Sequence, residues 1–330
     1  MAVKDIKLDT PQDIAELLDL EDFGQIYRLA DQVRNEHMGD TVHMRAIIEF
    51  SNVCKRQCIY CGLNKSNREI SRFRMSRREI EETARQAVMA GYRTVVLQSG
   101  EDDYFTAERL GKIVGDVKAL DGFQDTGPPI VTLSCGELTR EEYAYLKEKG
   151  ADRYLLKHET ADDALYSRLH PCGELKSRIN CLRDLKEVGY ETGSGFMIGL
   201  PGQSLETVGK DLLLLKELSC EMAGIGPFIS NPKTPLAGEQ NGSTELARRA
   251  VAIARLLLPK ANLPVTTSLA ILAPEENPFD FGANVIMKKV TPDEYKEAYE
   301  IYPAEYSKTN IVRDKKELEE KIRFYNRVPK

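Results

Sequence analysis

No apolar run in the 330-residue chain approaches the roughly 20 residues that a membrane-spanning helix needs, so a membrane protein is not expected. The opening residues, Met1 to Asp9, have no apolar stretch of the secretory-signal kind. An excess of positive charge is also missing. The net charge of −6 argues against a general binder of nucleic acid or of a membrane surface. Tryptophan is absent, which excludes nothing. No linker, composition shift or internal repeat divides the chain. What is present is 42% hydrophobic and 30% charged residues, the balance of a soluble globular protein with a sizeable core. The seven cysteines read as reduced thiols and ligands rather than disulfides, and a cytoplasmic location is expected.

Three of those cysteines fall within one stretch of eight residues, Cys54-Lys55-Arg56-Gln57-Cys58-Ile59-Tyr60-Cys61. Thiolates at that density bind metal or pair as disulfides, and three is an odd number. A closed zinc site takes four ligands, and a [4Fe–4S] cubane normally takes four cysteines. With three, one iron of a cubane stays open to a ligand from outside the protein. A zinc knuckle completed by a distant residue such as His43 is the alternative, although no second CxxC or CxxH pair exists. Cys135, Cys172, Cys181 and Cys220 are isolated and read as small core or surface residues.

The cysteine order, three intervening residues and then two with Tyr60 before the last, resembles the signature of radical S-adenosylmethionine (SAM) enzymes. That resemblance implies that Cys54, Cys58 and Cys61 are the catalytic cluster ligands. It further implies that SAM chelates the open iron and that one electron from the cluster cleaves SAM to a 5′-deoxyadenosyl radical.

The rest of the chain alternates strand and helix signals. Residues 1–42 read as a helical lead-in, with Thr10 as N-cap before Pro11 and a second helix over 22–37. Strands are expected at 44–50, 94–98, 130–134, 153–157, 192–198, 222–228, 265–269 and 283–287. Helices are expected at 76–90, 106–119, 139–149, 161–169, 174–188, 204–218 and 244–258, the first with a capping box of Ser76 and Glu79. Segments 122–129 and 230–243 read as loops. Eight βα units in about 250 residues predict a complete (β/α)8 TIM barrel, class α/β, over 43–290. Residues 291–330, with Tyr295, Tyr299, Tyr302, Tyr306 and a charged helix at 315–325, are expected to close one end.

Barrel chemistry sits at the carboxyl ends of the strands. The second strand ends in Gln98-Ser99-Gly100-Glu101, which resembles the radical SAM glycine–glutamate motif that binds the amino group of SAM. The fourth ends in Lys157-His158-Glu159, where residues 157 and 159 share a face and His158 points the other way. Carboxylates commonly hold ribose hydroxyls, so Glu159 is the candidate for the adenosine ribose. Arg178 is a candidate for the SAM carboxylate through its planar fork. The glycine-rich fifth strand suits close approach of a ligand and resembles the family's strand beneath adenine, with Met197 against adenosine. Gly224 to Ile229 also suits a flat ligand, which adds Ile229 to the cofactor-binding set, and the signature resemblance adds Tyr60 beside the last cluster cysteine.

Four runs, RAIIEFSNVC from Arg45, VLQSGED from Val96, ADRYLLKHET from Ala151 and GIGPFI from Gly224, resemble the HydE family of [FeFe]-hydrogenase maturases, grouped with biotin synthase and methylornithine synthase. The likeness covers about residues 20–305. It implies action on a cysteine-bound iron–carbonyl–cyanide unit, with the maturase HydG, the scaffold HydF and a ferredoxin or flavodoxin reductant as partners. By the same analogy Thr132, Ser134, Lys157, Met222, Pro227 and Tyr299 line the substrate cavity. Two departures stand out. No cysteine follows Cys220, so one cluster rather than two is expected. Lys157 stands where the family often has arginine, keeping the charge but not the bidentate reach. The alternatives are a methylornithine-synthase-like mutase, a sulfur-inserting enzyme disfavoured for want of further cluster cysteines, and a non-catalytic iron–sulfur scaffold.

Overall fold

The computed structural model describes residues 6–121, 127–304 and 307–330. Nine strands are present among them: β1 (Thr41–Ser51), β2 (Thr94–Ser99), β3 (Ile130–Ser134), β4 (Arg153–Leu155), β5 (Glu191–Ile198), β6 (Met222–Pro227), β7 (Pro264–Val265), β8 (Val285–Lys289) and β9 (Val328–Pro329). The order is β6-β5-β4-β3-β2-β1-β8-β7, every pairing parallel. Met222 bridges Asn262 just before β7, which brings the two outer strands together into a nearly closed barrel. The expected α/β barrel is therefore present, with helices between the strands.

Local sequence explains why the helices begin where they do. Ser76 accepts from the Glu79 amide while the Glu79 carboxylate accepts from the Ser76 amide, and the same reciprocal box joins Thr139 to Glu142 and Thr10 to Asp13. The helix Arg77–Met89 buries Ile80, Ala84, Ala87 and Val88 at helical spacing, which directs that face to the sheet. β1 is buried over nearly its whole length, as a parallel strand covered on both faces must be.

Three expectations change. The seventh strand is only Pro264–Val265, because Thr266 caps a helix over Thr267–Leu272 by accepting from the Leu269 amide. β4 stops at Leu155 instead of running to Lys157, since Glu159 turns to φ 65°. The C-terminal segment reaches both ends of the barrel rather than one. Gly62 N donates to Ile301 O at the carboxyl end, while β9 pairs with the start of β1 at the amino end. Tyr306 and most of the 122–129 loop lie outside the described residues. No helix among the described residues is long and apolar enough to cross a membrane.

Candidate active site

The cysteine loop leaves the carboxyl end of β1 and is pinned from three sides. Lys55 N donates to Glu101 O (2.8 Å) after β2, Ile59 N to Leu169 O (3.0 Å), and Gly62 N to Ile301 O (2.9 Å). Cys54, Cys58 and Cys61 are half-buried free thiols. Burial and then the neighbouring Cys54 push the Cys58 thiol up to about 12, and burial followed by Cys58 raises Cys61 further. Left alone, these thiols are neutral at pH 7. Only a bound cation makes three thiolates stable so close together.

Among the described residues, no three His, Cys, Asp or Glu side chains converge as they would around a single ion. A cubane does not need that convergence, because each thiolate takes a different iron. Gly100 seals the back of the loop. A Cβ there would lie 2.4 Å from Val53 O and 2.7 Å from the Cys54 Cβ, so only glycine lets the end of β2 pack under Cys54. The donor set and its cradle fit a cluster held by three cysteines.

Below the loop, a cavity of about 230 Å3 descends into the barrel. Of the expected site residues, Tyr60, Gln98, Thr132, Lys157, Glu159, Met197, Met222, Pro227, Ile229 and Tyr299 all line it. Lys157 and Glu159 do face the same way, with Lys157 Nζ 2.9 Å from Glu159 Oε2. Beyond that ion pair, Oε2 has no hydrogen-bond partner among the described residues. Burial acts to raise the Glu159 carboxyl, but Lys157, His170 and Arg178 outweigh it and hold the group below its ordinary range.

The Glu159 backbone is left-handed, a conformation costing about 1–3 kcal/mol in a non-glycine residue. It is held there by β5, where Glu159 N donates to Gly195 O and Met197 N donates to Glu159 O. Gly195 is needed for that packing, since a Cβ would fall 2.1 Å from Gly224 O on β6. Gln98 Nε2 donates to the Tyr299 hydroxyl (3.3 Å), and the buried Thr132 hydroxyl has no hydrogen-bond partner among the described residues. His158, as expected, faces away, with Nδ1 2.9 Å from Ser194 Oγ.

Ser99, Gly100, Glu101, Ser134 and Arg178 do not line the cavity. The first three border a groove of about 450 Å3 on the other side of the loop, with Cys135 and Cys181. The Glu101 carboxylate is engaged by Arg56 Nε, by the Glu137 amide (3.3 Å) and, at 4.0 Å, by Arg178. Arg56 also pairs with Glu137 (3.0 Å), as does Arg178 (2.9 Å), which closes a four-residue ionic cluster. Arg178 lines a small crevice with Cys58, Tyr166, His170 and Cys172.

Sequence reasoning missed Arg45, Glu49, Arg56, Glu137, His170 and Lys289. Arg45 and Glu49 line the cavity from β1, Glu49 paired with Lys289 (2.9 Å). Their signal was legible: two opposite charges four residues apart share one face of a strand otherwise composed as buried. The Tyr60 hydroxyl lies 2.9 Å from His170 Nε2, and nothing local in the chain announces that contact.

The profile of the Radical SAM superfamily matches residues 48–215. The chain is 47% identical over 299 residues to "[FeFe] hydrogenase maturase subunit HydE" of Thermotoga maritima, covering 89% of this chain and 84% of that protein. It is 32% identical over 286 residues to 3-methylornithine synthase of Methanosarcina acetivorans, covering 85% and 79%. The crystal structure of methylornithine synthase (PylB) superposes with a TM-score of 0.85 at 27% identity, covering 99% of this chain and 96% of that one.

Proposed function

Because the chain belongs to the radical SAM superfamily and, within it, to the HydE family, we propose that it uses one [4Fe–4S] cluster and SAM to act in assembly of the [FeFe]-hydrogenase di-iron site. The observation that carries this reading is the three-cysteine loop at the mouth of a deep barrel cavity whose rim holds an ionised, incompletely bonded Glu159. Cys54, Cys58 and Cys61 hold the cluster. When bound, cluster and SAM together supply reductive cleavage to methionine and a 5′-deoxyadenosyl radical.

The chain's own residues then divide the work. Glu159 and Met197 line the wall nearest the loop and hold the ribose and adenine of SAM, with Tyr60 and Ile229 beside them. Tyr60 is steadied by His170. Ser99 and Gly100 offer backbone at the end of β2. Glu101 orients the loop through Arg56, and Arg178 stands next to Cys58 to meet the SAM carboxylate. Deeper, Thr132, Lys157, Met222, Pro227 and Tyr299 enclose the substrate, proposed as a cysteine-bound iron–carbonyl–cyanide unit, and keep water from the radical. Ser134, two residues beyond Thr132 on β3 and in register with Gln98 on β2, is proposed to face the same side at the rim. HydG and HydF are the proposed partners, with ferredoxin or flavodoxin as reductant.

A methylornithine-synthase-like mutase is the second reading. It is favoured by the PylB superposition and by Lys157, whose ammonium suits an amino-acid carboxylate without the fork that planar recognition uses. One experiment separates the two. Anaerobically reconstituted protein, reduced with dithionite in the presence of SAM, is given the iron–carbonyl–cyanide unit or lysine, and 5′-deoxyadenosine is followed by mass spectrometry. Turnover dependent on the iron unit supports the maturase. Turnover on lysine alone supports the mutase. Iron near four per chain supports a single cluster, whereas about six to eight refutes it.

A further inference from the structure

Arg72 lies outside the cavity and outside every sequence motif, yet it makes four hydrogen bonds to the cysteine loop. Nη1 donates to Asn52 O (2.7 Å) and Leu63 O (2.8 Å), and Nη2 to Asn64 O (2.7 Å) and Asn67 O (3.2 Å). Asn52 precedes Cys54, and the other three acceptors follow Cys61. One guanidinium thus gathers both ends of the segment that carries the cysteines. Asn52 completes the brace, its side chain donating to Ser71 O (2.7 Å) and accepting from Phe73 N (2.7 Å).

A clasp of this kind needs donors but no charge, and elsewhere in the molecule the cationic clasps near the site are neutralised. Arg56 faces Glu101 and Glu137, Arg74 faces Asp102, and Arg178 faces Glu137. No carboxylate of the described residues lies within ion-pair reach of Arg72, and Nη1 rests on the carbonyls of Asn52 and Leu63, two residues before Cys54 and two after Cys61. Three thiolates on a cubane make a net anion, and reduction adds another negative charge. The potential of such a cluster is set by nearby charge, hydrogen bonding and exposure. A cation without a counter-ion stabilises the reduced form.

We infer that Arg72 is a positioning residue that acts in two ways. It clasps the cysteine loop through four carbonyls, and its uncompensated charge raises the potential of the cluster bound there so that a one-electron donor can reduce it. The inference rests on the cluster reading above and extends it to a residue that touches neither SAM nor substrate.

An EPR-monitored redox titration of anaerobically reconstituted full-length protein, with iron analysis on the same samples, tests this. Wild type, R72K, R72Q and R68E are compared. Arg68 is exposed, makes no hydrogen bond among the described residues, and lies within Coulombic reach of Arg72, so R68E adds a counter-charge while leaving the clasp intact. The expected result in R72Q is a tenfold fall in the ratio of reduced to oxidised cluster at fixed potential, about 59 mV for one electron. R72K keeps the wild-type potential but binds less iron, because ammonium cannot span four acceptors. R68E keeps its iron and loses about threefold in reduced fraction. Wild-type potentials in both R72Q and R68E overturn the electrostatic role. If R72Q takes up no iron, R68E alone decides, and an unchanged potential there overturns the inference. Absence of any cluster from wild type would instead sink the cluster reading itself.

Discussion

Two barrel strands end in a glutamate close to the cysteine loop, and the two carboxylates live in opposite circumstances. Glu101, after β2, is saturated: Arg56, Arg178 and the Glu137 amide surround it, and it lines a groove outside the cavity. Glu159, after β4, is inside the cavity with one ion pair to Lys157, no further partner for that oxygen among the described residues, and a left-handed backbone. A carboxylate whose bonds are complete is a structural part. One kept ionised and incompletely bonded, at a cost in backbone strain, is prepared for something else. The difference teaches that motif membership and readiness for a ligand are separate properties, even in residues of the same type beyond the carboxyl ends of two strands of one barrel.

The contrast has consequences that can fail. The largest concerns stability. Glu101→Ala leaves Arg56 and Arg178 to share Glu137 alone, and a loss of about 1.5–3 kcal/mol is expected. Glu159→Ala should cost under about 1 kcal/mol, since its partner Lys157 is partly exposed and regains water. Urea midpoints of the two variants measured side by side test this, and the reverse order would erase the distinction.

His170 sits between the two regions, feeling Glu159, Arg178 and Glu137, and burial lowers its pKa from 6.5 to about 4. The unfolded chain therefore takes up this proton first as pH falls. Stability present above pH 6.5 is lost progressively towards pH 4, with His170 accounting for about 2 kcal/mol at pH 5. His170→Phe should flatten the slope of melting temperature against pH over that window. His43, lowered to about 4 chiefly by burial at the start of β1, acts in the same direction over the same window. The depressed Glu159 acts in the same direction but lower, its contribution disappearing only as pH falls through its folded pKa, below 4.5.

Ligand binding should separate the glutamates once more. Glu159→Gln is expected to weaken SAM binding about tenfold, near 1.4 kcal/mol, with iron content unchanged. Equilibrium dialysis with radiolabelled SAM would read it, and an unaltered affinity would return Glu159 to a structural role. The smallest effect is expected at the solvent edge of the β2 groove. Lys55 pairs with Asp103 at 2.7 Å where both side chains are exposed, and Lys55→Ala should change stability by less than about 1 kcal/mol.

Much of this was legible in the chain. Eight βα alternations, the capping boxes at Ser76 and Thr139 and the three-cysteine loop are all written within spans of a few residues. The period of an extended chain predicted that Lys157 and Glu159 share a face, but in the structure β4 ends before them and the left-handed Glu159, held by β5, brings them together. The two-residue β7 was not legible, because the β-branched run Val265-Thr266-Thr267 suits a strand and only the cap at Thr266 starts a helix there. Nor was the division of the tail between both ends of the barrel, which depends on β9 finding the first residues of β1 nearly the whole chain away.

Ligand identity and its chemistry were decided locally: thiolates separated by three and two residues bring the same donors together whatever surrounds them. Which carboxylate is free to act was decided by packing. Arg56 meets Glu101 across 45 positions, Arg178 meets Glu137 across another helix, and Glu159 takes its conformation from Gly195 on the next strand. Charge pairing and backbone strain act through distances in space that chain order does not contain, so these assignments appear only when the barrel is closed.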